Sequence, residues 1–108
     1  MMLVVIVNFS FATILMDGVC KVSVLEDIKI METNREKIRE CDIQILHLIE
    51  ERIVAASEIG RVKRKNNKPI YAPEVEKKNI EELSAQSSYP GLVEAIWPVI
   101  MCYTRTVE

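Results

Sequence analysis

TNREKIRECDIQILHLIEERIVAASEIGRVKRK, residues 33–65, decides the fold. Ile38, Ile45, Ile49, Ile53, Ala56 and Ile59 recur mostly at steps of three and four, with Asp42, Glu50, Glu51 and Glu58 between them. That is the period of an amphipathic helix. Thr33 followed by Glu36 reads as a capping box that opens it. The expected helix is about thirty residues and roughly 45 Å long. Such a length is unusual in a small domain and suggests a helix laid against a partner. Asn66, Asn67 and Pro69 close it, because the asparagines suit a turn and proline disfavours helix at Lys68.

Downstream, Pro73 suits the first turn of a second helix running through EVEKKNIEELSAQSS. Tyr89-Pro90-Gly91 breaks it. A third helix starts at Leu92 and continues through VEAIWPVIMCYTRTVE, where Pro98 is expected to kink it or to limit its first turn. The expectation is an all-α, three-helix domain over residues 31–108.

Residues 1–30 form a different segment, and three readings of it stay open. Met1–Met16 is almost wholly apolar, but short for a bilayer span. As a signal peptide it lacks any Lys or Arg before Lys21 and an A-x-A cleavage site. Asp17-Gly18 lies between two runs rich in β-branched residues, LVVIVNFSFATILM and VCKVSVL, which signals a hairpin. Translation starting at Met31 is the third reading.

The chain has 108 residues, enough for one domain with a modest core, and a core built only after about residue 30 calls for oligomerisation. Cys20, Cys41 and Cys102 are odd in number and show no CxxC spacing, which indicates neither a disulfide framework nor a zinc site. A reducing compartment, the cytoplasm, is the default. His47, the sole histidine, sits between Leu46 and Leu48 and reads as structural or solvated. The net charge of −2 argues against a nucleic-acid surface, and the basic cluster at GRVKRKNNK reads as a helix C-terminus favourable to its dipole.

Three cations on the long helix, Arg35, Arg52 and Lys63, carry the functional signal. Arg52 and Lys63 are eleven residues apart, so they share a face with Cα atoms roughly 16 Å apart. Long side chains reaching toward each other leave a gap suited to a small ring compound with two carboxylates. Arginine forks pair with carboxylates, and lysine acts as a movable point charge. Arg35 lies about a quarter turn off that face. It could join the same pocket from a symmetry-related helix of an antiparallel homodimer. The plainer reading is that all three are solvated surface cations.

The stretch REKIRECDIQILHLIEERIVAASEIGRVKRKNNKPIYAPEVEKK resembles the first long helix, loop and second-helix start of the all-helical chorismate mutase family. The matching steps are Arg35-Glu36-Lys37-Ile38 with Asp42, then Glu51-Arg52, then Ile59-Gly60-Arg61-Val62-Lys63, then Pro69-Ile70-Tyr71-Ala72-Pro73-Glu74-Val75-Glu76. IWPVIMCYTRTVE is similar to the family's third helix. Some relatives are bifunctional and fuse this domain to a prephenate dehydratase. The resemblance implies an intertwined homodimer that rearranges chorismate to prephenate in aromatic amino-acid synthesis. It implies no metal and no cofactor, and neither a nucleic-acid nor a membrane partner.

By the same resemblance, Arg35 reaches across the dimer to a substrate carboxylate and Arg52 binds one from its own subunit. Lys63 touches the ether oxygen of the breaking bond and a carboxylate. Glu76 accepts from the substrate hydroxyl, Thr104 contributes to the pocket, and Glu108 faces the ether oxygen. Two residues depart from the pattern. Ala72 stands where the family often has Asp, and Val75 where it has an Arg that commonly lines the carboxylate site. The chain stops at Glu108, where many relatives continue, and a terminal residue frays readily. Ala72-Pro73-Glu74 also resembles isochorismate-pyruvate lyases of the same fold. A non-catalytic helical dimerisation module is the reading from a different class.

Overall fold

The structure, a computed structural model, describes the backbone of residues 18–108 and the side chains of residues 22–108. Among these residues there are three helices and no strand: α1 Gly18–Lys65, α2 Pro73–Gln86 and α3 Leu92–Val107. The chain divides into two units, Met1–Ile45 and Leu46–Glu108. The all-α expectation holds, and α2 and α3 begin at the proline and the leucine that the sequence marked.

The start of α1 does not lie at Thr33. The helix is 48 residues long and Thr33 and Glu36 are in its interior, where no capping box forms. A cap is worth about 1 kcal/mol, but between Gly18 and Thr33 there is neither proline nor a second glycine to interrupt the ladder. Continuing the helix gives each amide its partner four residues back, so no end is created for Thr33 to cap. The hairpin at Asp17-Gly18 is corrected for the same reason. Val19–Leu25, its expected second strand, is helical, since β-branched residues cost a helix only a few tenths of a kcal/mol each. The first run of that hairpin, residues 3–16, lies outside the described residues.

The other end of α1 follows its sequence closely. Lys63, Arg64 and Lys65 occupy the last turn, where cations meet the negative end of the helix dipole. Asn67 takes the left-handed conformation, φ 59°. The Lys68 amide then donates to the Lys63 carbonyl at 2.8 Å and the Asn67 amide to the Arg64 carbonyl at 3.2 Å. This is the paired closure of a Schellman motif, with asparagine in glycine's usual place.

Within the unit Leu46–Glu108, α2 and α3 pack on each other. Pro73 opens α2 at a position where its missing amide costs nothing. Gly91, with φ 77°, opens α3. That sign of φ strains any side chain, whereas glycine adopts it freely. Pro98 does not stop α3, which continues to Val107; the Glu94 carbonyl simply loses its amide partner. Ser84 on α2 donates to Glu94 Oε2 on α3 at 2.7 Å. That bond holds the Glu94 carboxyl below its ordinary range. Its contribution to stability is present above that ordinary range and is lost as pH falls through the lowered value.

The buried interior is thin. Among the described residues, Val93 and Met101 are the buried apolar side chains and Thr104 the buried polar one.

Candidate functional site

A cavity of about 170 Å³ opens in the unit Leu46–Glu108. Its polar lining comes from Arg52 and Lys63 on α1, Glu76 on α2, Thr104 and Arg105 on α3, and Glu108 just beyond α3. Ala56, Ile59, Ile70, Ala72, Val75 and Met101 supply the apolar wall. Five of the six residues singled out from the sequence therefore meet around one space. The sixth, Arg35, is exposed and belongs to the other unit, Met1–Ile45.

The helical period explains the α1 contribution. Arg52, Ala56, Ile59 and Lys63 are spaced by four, three and four residues, which sets them along one face. Lys63 is further fixed by the closure of its helix. Its ammonium donates to the Ile70 carbonyl at 3.2 Å, across the turn that Asn67 creates. An ammonium has three donors, so one bond to the loop leaves capacity for a guest.

Arg52 is tied to α3. Its guanidinium donates to Thr104 Oγ1 at 3.2 Å, and that hydroxyl donates in turn to the Ile100 carbonyl at 2.7 Å. Thr104 is 2% exposed, so its hydroxyl needs both bonds. The side chain is thus a buried strut that aims Arg52.

Glu108 is anchored rather than frayed. Its amide donates to the Thr104 carbonyl at 3.1 Å, which extends the α3 ladder. Its own carbonyl accepts from the Arg64 guanidinium. Gly60 is buried beneath it, and a Cβ added there would lie 3.1 Å from Glu108 Cβ. A glycine inside an apolar helix period usually has a packing reason. Here the reason is the close approach of the residue that follows α3.

Glu76 and Arg105 form an ion pair from α2 to α3, with side chains 26% and 28% exposed. Arg105 also lies over the Tyr71 ring, 4.4 Å from its centroid. Its hydrogen bond to Glu76 raises the guanidinium pKa above its ordinary value, and an arginine is charged at working pH in any case. Sequence reasoning missed Arg105, Tyr71 and Arg64 as site residues. Only Gly60 left a local sign, as a glycine within a helical run. Arg105 follows Thr104 directly, and nothing in its own spacing distinguishes it from a surface cation.

Among the described residues no group of His, Cys, Asp and Glu could hold a metal ion. None of their helices is long and apolar enough to cross a membrane. Cys41 and Cys102 are free and exposed, and neither is among the residues that line the cavity.

The arrangement can hold a small anion-rich molecule. Arg52, Lys63 and Arg105 present positive charge, Glu76 and Glu108 present acceptors, and carbon surfaces line the space between them. Comparison with the curated proteins and with the solved structures gave no match. The model of one family, chorismate mutase type II, matches residues 34–108. With most of its length matched, this chain belongs to the chorismate mutase type II family.

Proposed function

We propose that the protein is a chorismate mutase, rearranging chorismate to prephenate in aromatic amino-acid synthesis. The observation that carries this reading is the convergence of Arg52, Lys63, Glu76, Thr104 and Glu108 on one cavity within a chain of this family. In the reaction the ether C–O bond breaks while a C–C bond forms, and negative charge builds on the ether oxygen. No protein group bonds to substrate. Arg52 holds one carboxylate, so the two reacting ends sit together and the entropic part of the barrier falls. Lys63 and Glu108 meet the charge developing on the ether oxygen. The Glu76 oxygen not paired with Arg105 accepts from the ring hydroxyl.

The working unit is a homodimer in the cytoplasm. Large apolar side chains stay open to solvent on the isolated chain: Leu48 is 63% exposed, Val54 70% and Val99 67%. With so little buried interior, a second copy is the economical cover. Arg35 of the partner subunit then completes the grip on the second carboxylate. A cavity of about 170 Å³ in one chain is below the ~300–1,000 Å³ of common ligand sites, which suits a compact substrate and a wall shared between copies.

Ala72 in the cavity lining favours a second reading, an isochorismate-pyruvate lyase. Incubation with chorismate and, separately, with isochorismate decides between them. Prephenate from chorismate supports the mutase, and salicylate plus pyruvate from isochorismate supports the lyase. Absence of both products leaves the non-catalytic dimerisation module. Glu108→Ala is expected to lower mutase turnover, and Glu108→Gln, whose amide is a donor, to keep or raise it. A turnover unchanged in Glu108→Ala removes Glu108 from the role.

A further inference from the structure

Arg105 lines the cavity from α3, one residue after the strut Thr104. Two contacts hold its guanidinium: an ion pair to Glu76 and the face of Tyr71, 4.4 Å from the ring centroid. A guanidinium has five N–H donors in a flat fork. The bond to Glu76 comes from one terminal nitrogen, so donors remain for a guest. The Tyr71 ring and the Glu76 carboxylate hold the guanidinium in place before anything binds, which reduces the ordering cost of binding.

The charge balance of the cavity gives this placement its meaning. Without Arg105, the lining would set two cations, Arg52 and Lys63, against two carboxylates, Glu76 and Glu108. A site with no excess positive charge is a poor host for a dianion. With Arg105 present the same count leaves one excess positive charge to meet an anionic guest. Val75, on α2, offers only methyl groups to the same space.

We propose that Arg105 is a substrate-binding residue of this chain, a guanidinium supplied from α3 that grips a substrate carboxylate at the place where Val75 of α2 supplies none. Glu76 and Tyr71 are its positioning residues. This inference rests on the mutase reading. The rival account is that Arg105 only staples α3 to α2 through Glu76.

Steady-state kinetics with chorismate separate these accounts. Arg105→Gln keeps a donor for Glu76 but removes the charge. It is expected to raise KM and to lower kcat/KM about ten- to hundredfold, the usual size of one charged hydrogen bond. Arg105→Lys, which keeps the charge without the fork, is expected to lie between the two. Adding Val75→Arg to Arg105→Gln is expected to recover most of the loss, because Val75 faces the same cavity. A second readout is the salt dependence of KM, which is expected to be steeper for wild type than for Arg105→Gln.

A kcat/KM unchanged in Arg105→Gln overturns the inference. So do equal salt slopes, or a lowered melting temperature with no kinetic loss. If wild type converts chorismate and Arg105→Gln matches it, the mutase reading stands and this inference alone falls. If wild type does not convert chorismate, both fall together.

Discussion

The two stretches of α1 carry similar sequence, and the later one lines a cavity. From Leu46 to Lys65, Ile49, Ile53 and Ala56 are partly covered, and Arg52 and Lys63 line a cavity. Before Leu46, Ile30, Ile38, Ile43 and Ile45 are each more than half exposed. The described side-chain hydrogen bonds there are local, Asn34 to the Ile30 carbonyl and Arg39 to Glu36. Both stretches carry isoleucine at helical steps. Cover is partial in both, since Val24, Leu25 and Ile28 are partly covered in the early stretch and Ile59 is 57% exposed in the later one, so periodicity dictates the helix in each but not burial.

The largest expected effect tests whether the early stretch is idle or serves a second copy. Arg52→Ala and Arg35→Ala are each expected to lower kcat/KM by about a hundredfold or more, as loss of a charged group facing the reacting molecule does. Co-expressed in one cell, the two inactive variants are expected to regain about a quarter of wild-type activity, because half of the dimers are mixed and each mixed dimer keeps one intact site. If Arg35→Ala matches wild type, the early stretch contributes nothing to the site, and shared-site catalysis is lost with it.

A middle-sized effect belongs to the later stretch. Gly60→Ala puts a Cβ 3.1 Å from Glu108 Cβ. The residue after α3 then has to shift by a few tenths of an ångström. A shift of that size in a reacting-atom contact is expected to lower kcat by about tenfold while leaving KM and the circular dichroism nearly unchanged. An unaltered kcat would show that Glu108 need not sit where it does.

The smallest effect returns to the early stretch. Thr33 lies within α1, so Thr33→Ala is expected to stabilise the protein by a few tenths of a kcal/mol through helix propensity. Were Thr33 a cap, the same change would cost about 1 kcal/mol. Thermal denaturation of the pair reads the sign directly.

Much of the fold was legible because its punctuation is local. Asn67 and Pro69 stop α1, Pro73 starts α2, and Gly91 precedes α3. Each acts through its own backbone chemistry, without help from distant residues. Thr33 misled because a cap signal has force only where a helix end exists, and nothing upstream ends this one. The hairpin reading failed at Val19–Leu25 because strand preference needs a pairing strand to express it. In the site, Arg52 and Lys63 could be paired from spacing, since both ride one helix. Glu76, Thr104 and Glu108 came through likeness to a family, as their helices meet α1 only in three dimensions.

What the sequence determined alone is the helical class, the turns between helices, and the shared face of Arg52 and Lys63. These follow from a fixed rise and rotation per residue and from residues whose φ or missing amide leaves few choices. Tertiary structure decided that Arg105 stacks on Tyr71 and pairs with Glu76, that Gly60 makes room for Glu108, and that Thr104 braces Arg52. Those contacts join residues 29 to 52 positions apart, and no local period encodes which side chains will meet once helices pack.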